Sequence, residues 1–365
     1  MMDQIAHLVT LIARQEEGAQ DVPTCSSNND YDGRLGLRIA SIFVIWVGST
    51  FGAVFPVFAN YHKGLGVPDW SFFVAKFFGS GVIIATAFIH LLSPAEDALR
   101  NPCLTGPITE YDWVSGIVLM TIFVLFFVEL MVMRYSDIDG PDHEHEHSGM
   151  VVDGSESKQI TELDQTGDGR RMSSHHPGHD HLGHAQRHNS IEEANNPFSV
   201  EDYKAQLTAI FILEFGIIFH SVFIGLTLAV SGDEFITLFI VLVFHQTFEG
   251  LGLGARLAVT PWPKGKRWTP YVLAIAYGFT TPIAIAIGLG VRQSYPPGSR
   301  TTLLVNGVFD SISAGILIYT GLVELMAHEF MFSRTMRNAP LKTLLSAIFL
   351  MCLGAGLMAL LGKWA

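Results

Sequence analysis

Charged residues are scarce in this 365-residue chain, at 15% of the total, whereas hydrophobic residues make up 49%. Soluble proteins usually carry nearer a quarter charged residues, which excludes an ordinary soluble domain. Lysine and arginine number only 22, and they are scattered without any patch that combines basic and aromatic side chains. That scarcity excludes a nucleic-acid-binding protein. The composition instead indicates that the lipid bilayer is the principal partner.

Cysteine is also scarce, and no cleaved signal peptide is expected at the N-terminus. The stretch IAHLVTLIA has no basic region before it, so a cleaved signal peptide is not expected and the first long apolar segment would target the chain. Of the three cysteines, Cys352 lies in an apolar run and is expected to be a packed thiol. Cys25 and Cys103 lie in polar stretches and are candidates for pairing.

Long apolar runs are abundant. A bilayer core of about 30 Å requires about 20 apolar helical residues, and eight segments of the sequence reach that length. The sequence therefore predicts an all-α integral membrane protein with eight transmembrane helices. Their predicted limits are 35–59, 72–93, 113–135, 204–230, 235–259, 270–290, 302–326 and 343–362.

The distribution of basic residues in short loops predicts the orientation, because cytoplasmic loops are enriched in lysine and arginine. With the N-terminus outside, the inner loops hold more basic residues than the outer loops, although Arg14, Arg34 and Arg38 count against this choice. Residues 1–34 are then extracellular, and an even number of spans places both termini outside. Cys25 and Cys103 share the outer face, which predicts a disulfide; two free thiols are the alternative.

Residues 35–135 hold the first three predicted spans, and residues 204–365 hold the other five. Residues 136–203 between them are predicted to form a long, disordered, cytoplasmic loop. The segment is rich in Gly, Ser, Asp, Glu and His and has no apolar periodicity. It holds nine of the fifteen histidines. Since neutral imidazole binds zinc well, the loop is predicted to buffer or sense metal weakly, with a solvated linker as the alternative. The candidate ligands are His143, His145, His147, His175, His176, His179, His181 and His184.

One loop motif raises an enzymatic alternative. HEHEH at residues 143–147 matches the H-E-x-x-H pattern of zinc proteases, in which two histidines hold the metal and the glutamate acts as a base. The flanking sequences DIDGPD and SGMVVDG offer no apolar face for a buried helix. We therefore expect no enzymatic activity.

Polar residues inside the predicted spans point to a membrane metal site. His245 and Glu249 are four residues apart and share one helix face, while His220 on the preceding span reaches a similar depth. An ionised glutamate near the bilayer centre costs a few kcal/mol and is normally retained for an ion pathway. Two imidazoles and a carboxylate, with the neutral oxygens of Ser221 and Gln246 beside them, suit a borderline divalent cation.

Further polar residues suggest a path to and from this site. His90, Glu96, Asp97 and Asp310 lie in the outer halves of their spans and are candidates for the entrance. In the inner half, Glu324 and His328 are candidates for the exit. Side chains near span ends often only reach the membrane interface, which is the alternative for every residue of this path.

The motifs HSVFIG and HQTFEG in consecutive spans resemble the two signatures of the ZIP (zinc- and iron-regulated transporter-like) family, in particular its fungal and plant plasma-membrane branch. ATAFIHLL, TTPIAIAIG and the His-rich loop extend the resemblance over nearly all of residues 35–365. It implies uptake of zinc, or sometimes iron or manganese, with no prosthetic group. The family's ligand positions carry over here to His220, Ser221, His245, Gln246 and Glu249.

The resemblance has further implications and two departures. The family often forms a dimer, and removal of relatives from the membrane by ubiquitination makes Lys158, the loop's one interior lysine, a candidate ubiquitination site. Ile224 stands where many relatives have a glutamate, and residues 270–290 contain no carboxylate. We therefore expect one principal cation rather than two. A metal sensor without translocation and an exporter are the remaining alternatives.

Overall fold

The computed structural model describes residues 24–26, 31–136, 200–292 and 296–364. Within these ranges the regular structure is entirely helical, and eight helices are long and apolar enough to cross a membrane. The predicted all-α membrane fold with eight spans is confirmed. In chain order the helices are α1 (Leu35–Tyr61), α2 (Asp69–Leu99), α3 (Trp113–Ser136), α4 (Val200–Val230), α5 (Phe235–Val259), α6 (Thr269–Val291), α7 (Arg300–Phe332) and α8 (Leu341–Leu361).

Several helices extend beyond the predicted spans. The second was predicted over 72–93 but begins at Asp69 and ends at Leu99, and the seventh continues to Phe332. Helix α4 begins at Val200, inside the segment predicted as a loop. Hydropathy detects only the residues that cross the hydrocarbon core, whereas a helix continues into the interface as long as its backbone hydrogen bonds are satisfied.

Two of the long helices contain π-helical segments. In α2 the segment is Thr86–Leu92, and in α7 it is Thr320–Phe332. A π-turn holds more residues than an α-turn, so it changes the direction in which the following side chains point, and such turns frequently occur at functional sites. The candidate entrance residue His90 lies in the first segment, and the candidate exit residues Glu324 and His328 lie in the second.

The eight helices form two groups. In the first group, α1 packs along α5 and α6, and α6 packs along α4. In the second group, α2 packs along α8 and α7, and α7 also packs along α3. The groups meet mainly where α5 contacts α2 and where α4 contacts α7. The motifs HSVFIG on α4 and HQTFEG on α5 therefore belong to the same group.

A buried arginine connects the start of α1 to the end of α4. The guanidinium of Arg38 donates hydrogen bonds to the main-chain oxygens of Leu228 (3.1 Å), Ala229 (3.0 Å) and Ser231. These carbonyls lie at a helix C-terminus, where a positive charge is favourable. Arg38 also donates to Asp32 at 2.8 Å, and this hydrogen bond lowers the pKa of the Asp32 carboxyl.

The cysteines divide into one disulfide and one thiol. Cys25 and Cys103 form a disulfide, which joins the segment before α1 to the connection between α2 and α3. Cys352 on α8 is exposed on the protein surface. The expectation of a packed thiol is wrong, because an apolar side chain in a membrane helix can face lipid as readily as the protein core. The loop histidines and Lys158 lie outside the described residues.

Candidate metal centre

Three ionisable side chains meet between α4 and α5. His220 of α4 and His245 and Glu249 of α5 each present one ligating atom, and these atoms all lie within 4.8 Å of one another. All three side chains are buried, with at most 1% of their surface exposed. The two imidazole rings are 5.6 Å apart between centroids. The structure thus brings together the three residues on which the predicted site depends.

The spacing of the ligating atoms suits a small cation. His245 Nε2 and Glu249 Oε1 are 3.5 Å apart, because residues one helical turn apart project to the same side of α5. Two ligands that are each about 2.1 Å from a tetrahedral Zn²⁺ are separated by about 3.4 Å. The α5 pair therefore already has the spacing of two ligands of one ion, and His220 supplies a third from the neighbouring helix.

The side-chain polar atoms of these three residues form no hydrogen bond of good geometry among the described residues, although Thr86 of α2 lies near Glu249. Both ring nitrogens of His220 and His245 and both carboxylate oxygens of Glu249 are buried without one. A buried polar group without a partner costs on the order of 1–3 kcal/mol, and more when it is charged. A divalent cation would satisfy the carboxylate and one nitrogen of each imidazole together, so the arrangement is suited to holding one.

Two neutral side chains flank the cluster. Gln246 and Ser221 follow His245 and His220 in the sequence, are both fully buried, and approach each other at 3.5 Å between Nε2 and Oγ. Gln246 also contacts a residue that sequence reasoning missed, Tyr277 of α6. A signal for it existed, because a tyrosine inside an apolar membrane span needs a partner for its hydroxyl.

One candidate entrance residue lies directly beside the cluster. His90 of α2 is buried, and its ring packs edge-on against that of His245 with the centroids 4.7 Å apart. Its Nε2 is 3.1 Å from the main-chain oxygen of Met358 in α8. His90 therefore reaches the metal ligands of α5 from the other group of helices.

The remaining entrance candidates do not belong to the ligand cluster. Glu96 is 3.5 Å from Arg100 in an exposed ion pair, Asp97 is exposed, and Asp310 is partly buried on α7. Among the described residues, the His220, His245 and Glu249 group is the one set of metal-ligating side chains that converges, and it includes none of these three. An exposed ion pair such as that of Glu96 contributes little to stability.

Toward the other end of α7, the exit candidates lie in the same π-helical segment as Glu329, which pairs with a lysine that sequence reasoning missed. Glu324 is partly buried and His328 is exposed. Lys76 Nζ of α2 pairs with Glu329 Oε1 of α7 at 2.5 Å. On α5, the Nε and Nη2 atoms of Arg256 are buried without a hydrogen-bond partner among the described residues. The available signal was Lys76 itself, a lysine within the apolar sequence FFVAKFF.

Comparisons with known proteins agree with the composition of the site. A family model described as ZIP Zinc transporter matches residues 35–362. Zinc-regulated transporter 2 of Saccharomyces cerevisiae is 43% identical over 98% of this chain and 100% of its own length. Zinc-regulated transporter 1 of the same yeast is 43% identical over 92% of this chain and 89% of its own length. Zinc transporter 3 of Arabidopsis thaliana is 34% identical over 93% of this chain and 89% of its own length.

Proposed function

The chain belongs to the ZIP zinc transporter family, and on that basis we propose that it imports Zn²⁺ into the cytosol through the site between α4 and α5. The observation that carries the proposal is the complete burial of His220, His245 and Glu249, whose side-chain nitrogen and oxygen atoms have no hydrogen-bond partner in the part of the chain that the structure describes. Gln246 and Ser221 contribute neutral oxygens beside these three ligands. Zinc is the transported substrate.

The composition of the site suits a cation that must be bound and then released. Two imidazoles and one carboxylate replace most of the water around Zn²⁺, whereas a cage of thiolates would hold the ion more tightly. The same ligands also accept Fe²⁺ and Mn²⁺, because the order of intrinsic affinities does not by itself decide selectivity. We propose zinc as the principal substrate and these two cations as competitors.

The resting membrane potential favours the proposed inward direction of transport. A divalent cation that moves inward gains about 4.6 kcal/mol per 100 mV of resting potential, twice the value for a single charge. We propose that the ion approaches by way of Glu96, Asp97 and Asp310 and reaches the cluster past His90. It leaves past Glu324 and His328 as α4 and α5 shift relative to α2 and α7.

The proposal also covers the location and orientation of the chain, the roles of its loop and its oligomeric state. The transporter resides in the plasma membrane, with both termini outside and residues 136–203 in the cytoplasm. The loop histidines buffer metal there, Lys158 accepts ubiquitin, and two copies of the chain form a homodimer. The proposed membrane site is built from residues of α4 and α5, so deletion of the loop should spare transport.

Transport by purified protein in liposomes is the direct test of this function. Liposomes that contain the wild-type chain should accumulate radioactive zinc down an imposed gradient, whereas His245→Ala and Glu249→Ala should reduce the initial rate to the background of empty liposomes. Each substitution removes one of three buried ligands. The matched control is His62→Ala, because His62 is exposed at the end of α1 and should leave the rate unchanged.

Two results would contradict the proposal. Uptake at the wild-type rate by both ligand variants would show that these residues do not bind the transported ion. If the wild-type protein binds zinc but moves none across the membrane, it would be a sensor rather than a transporter.

A further inference from the structure

The hydroxyl of Tyr277 contacts two oxygen atoms of Gln246, one in the main chain and one in the side chain. Tyr277 lies on α6 and is fully buried. Its Oη is 2.6 Å from the main-chain oxygen of Gln246 and 2.9 Å from the side-chain Oε1 of the same residue. Gln246 directly follows the proposed metal ligand His245. A third helix therefore reaches the turn of α5 that carries the metal ligands.

A glycine makes this contact sterically feasible. A Cβ atom added at Gly250, one turn beyond Gln246, would lie 3.0 Å from Tyr277 Cε1 and 2.8 Å from the main-chain oxygen of Ser49. Both distances are shorter than an ordinary van der Waals contact. Any other residue at position 250 would push the tyrosine ring away from α5. Because the backbone of Ser49 cannot easily move, the space for Tyr277 depends on the absence of a side chain at this position.

The hydrogen count of the hydroxyl determines how it can bind Gln246. A tyrosine hydroxyl has one hydrogen to donate and can also accept hydrogen bonds. It cannot donate a full-strength hydrogen bond to the main-chain oxygen and to Oε1 at the same time. A half-turn of the carboxamide, which exchanges its oxygen and nitrogen within the same volume, removes the conflict. The hydroxyl then donates to the main-chain oxygen and accepts a hydrogen bond from Nε2.

We infer that Tyr277 is a positioning residue, which holds the carboxamide of Gln246 with its nitrogen toward α6 and its oxygen toward Ser221 and the transported cation. Only the oxygen of a carboxamide can bind a metal ion. The side-chain atoms of Gln246 and Ser221 that face each other are 3.5 Å apart, close to the separation of about 3.4 Å expected for two oxygen ligands of one Zn²⁺. The inference rests on the proposed function.

The test is Tyr277→Phe, which removes the hydroxyl and retains the ring. Without the hydroxyl the carboxamide can present its nitrogen to the cation, so the KM for zinc should rise about tenfold, as is typical when a hydrogen-bond partner of a metal ligand is lost. The maximal rate should change much less than KM. Tyr271→Phe is the matched control, since Tyr271 lies on the same helix and its ring packs at a tilt against that of Tyr61. Its KM should match the wild type.

Repeating Tyr277→Phe in a second variant, Gln246→Glu, distinguishes a positioning role of the hydroxyl from a general effect on packing. In Gln246→Glu the side chain ends in two equivalent oxygens and no longer needs to be oriented. Adding Tyr277→Phe to Gln246→Glu should therefore change KM by less than about twofold. Equilibrium binding of radioactive zinc to the purified variants gives the same comparison if Gln246→Glu transports too slowly to measure.

Two outcomes would overturn the inference. One is a wild-type KM in Tyr277→Phe, and the other is an equal loss of affinity in both backgrounds, which indicates packing alone. Failure of the proposed function can be distinguished from failure of this inference. In the former case the wild-type protein transports no zinc, or His245→Ala transports zinc at the normal rate.

Discussion

At the scale of single residues, the chain buries ionisable side chains between membrane-spanning helices, away from water. Glu249 would cost a few kcal/mol as an unpartnered anion at this depth. The nearby imidazoles of His220 and His245 offset little of that cost while they are neutral, since a neutral ring has no net charge to oppose the carboxylate. The cluster is therefore a source of instability that a bound cation relieves.

This relief should be visible as stabilisation by the substrate. A ligand present at 100 times its Kd stabilises the folded state by about 2.7 kcal/mol if it binds only that state. Addition of zinc to the detergent-solubilised wild-type protein should therefore raise its thermal unfolding midpoint, and a chelator should reverse the shift. His245→Ala should lose most of the shift, whereas His62→Ala should retain it. An equal shift in all three proteins would indicate zinc binding elsewhere in the chain.

At the scale of helices, glycines let backbones approach one another. The contact of Gly252 on α5 with Gly79 on α2 joins the two groups of helices, and a Cβ atom at Gly252 would lie 2.9 Å from the main-chain oxygen of Gly79. Small residues at such interfaces allow close packing between membrane helices. The contact of Gly252 with Gly79 lies one turn beyond the metal-binding turn of α5. It therefore influences the distance between α5 and α2 next to the metal ligands.

Gly252→Ala should destabilise the protein by about 1–3 kcal/mol, because the added methyl group meets the backbone of Gly79. The same change at Gly356 of α8 is the control, since a Cβ atom there meets nothing within 4 Å. Gly356→Ala should be neutral or slightly stabilising, as alanine is the better helix former. Thermal unfolding in detergent measures both variants. Equal midpoints would show that the helices separate enough to accommodate the methyl group.

At the scale of the whole molecule, transport requires the first group of helices to move relative to the second. His90 and the pair of Lys76 with Glu329 belong to the second group, while the metal ligands and Arg256 belong to the first. The cluster is buried from both sides in this structure. Movement at the boundary must therefore open a route between α5 and the helices of the second group.

The proposed orientation can be tested with single cysteines on opposite faces. Asp233 lies on the exposed connection between α4 and α5, and Gly265 lies on the exposed connection between α5 and α6. A membrane-impermeant maleimide should label Asp233→Cys on intact cells and should label Gly265→Cys only after permeabilisation. Both variants are made in a Cys352→Ser background, because Cys352 is an exposed free thiol, whereas Cys25 and Cys103 do not interfere because they are joined in a disulfide. The reverse pattern would place the termini in the cytosol and would contradict import in the proposed direction.

The sequence by itself determined the eight spans and the polar face of α5. Span number depends on the summed hydropathy of about 20 consecutive residues, and the shared direction of His245 and Glu249 depends only on the period of one helix. Both are local properties, so they can be read without knowing how the helices pack. The ends of α2 and α7 were less predictable, because helices continue past the hydrocarbon core.

Only the tertiary structure decided which residues of different helices meet. The edge-on contact of His90 with His245 depends on the π-helical segment of α2, which a 3.6-residue period cannot anticipate. The contact of Tyr277 with Gln246 joins residues 31 positions apart, and the ion pair of Lys76 with Glu329 joins residues 253 positions apart. Such contacts depend on the distance and rotation between packed helices, which are set by the whole bundle and are not encoded in any single segment.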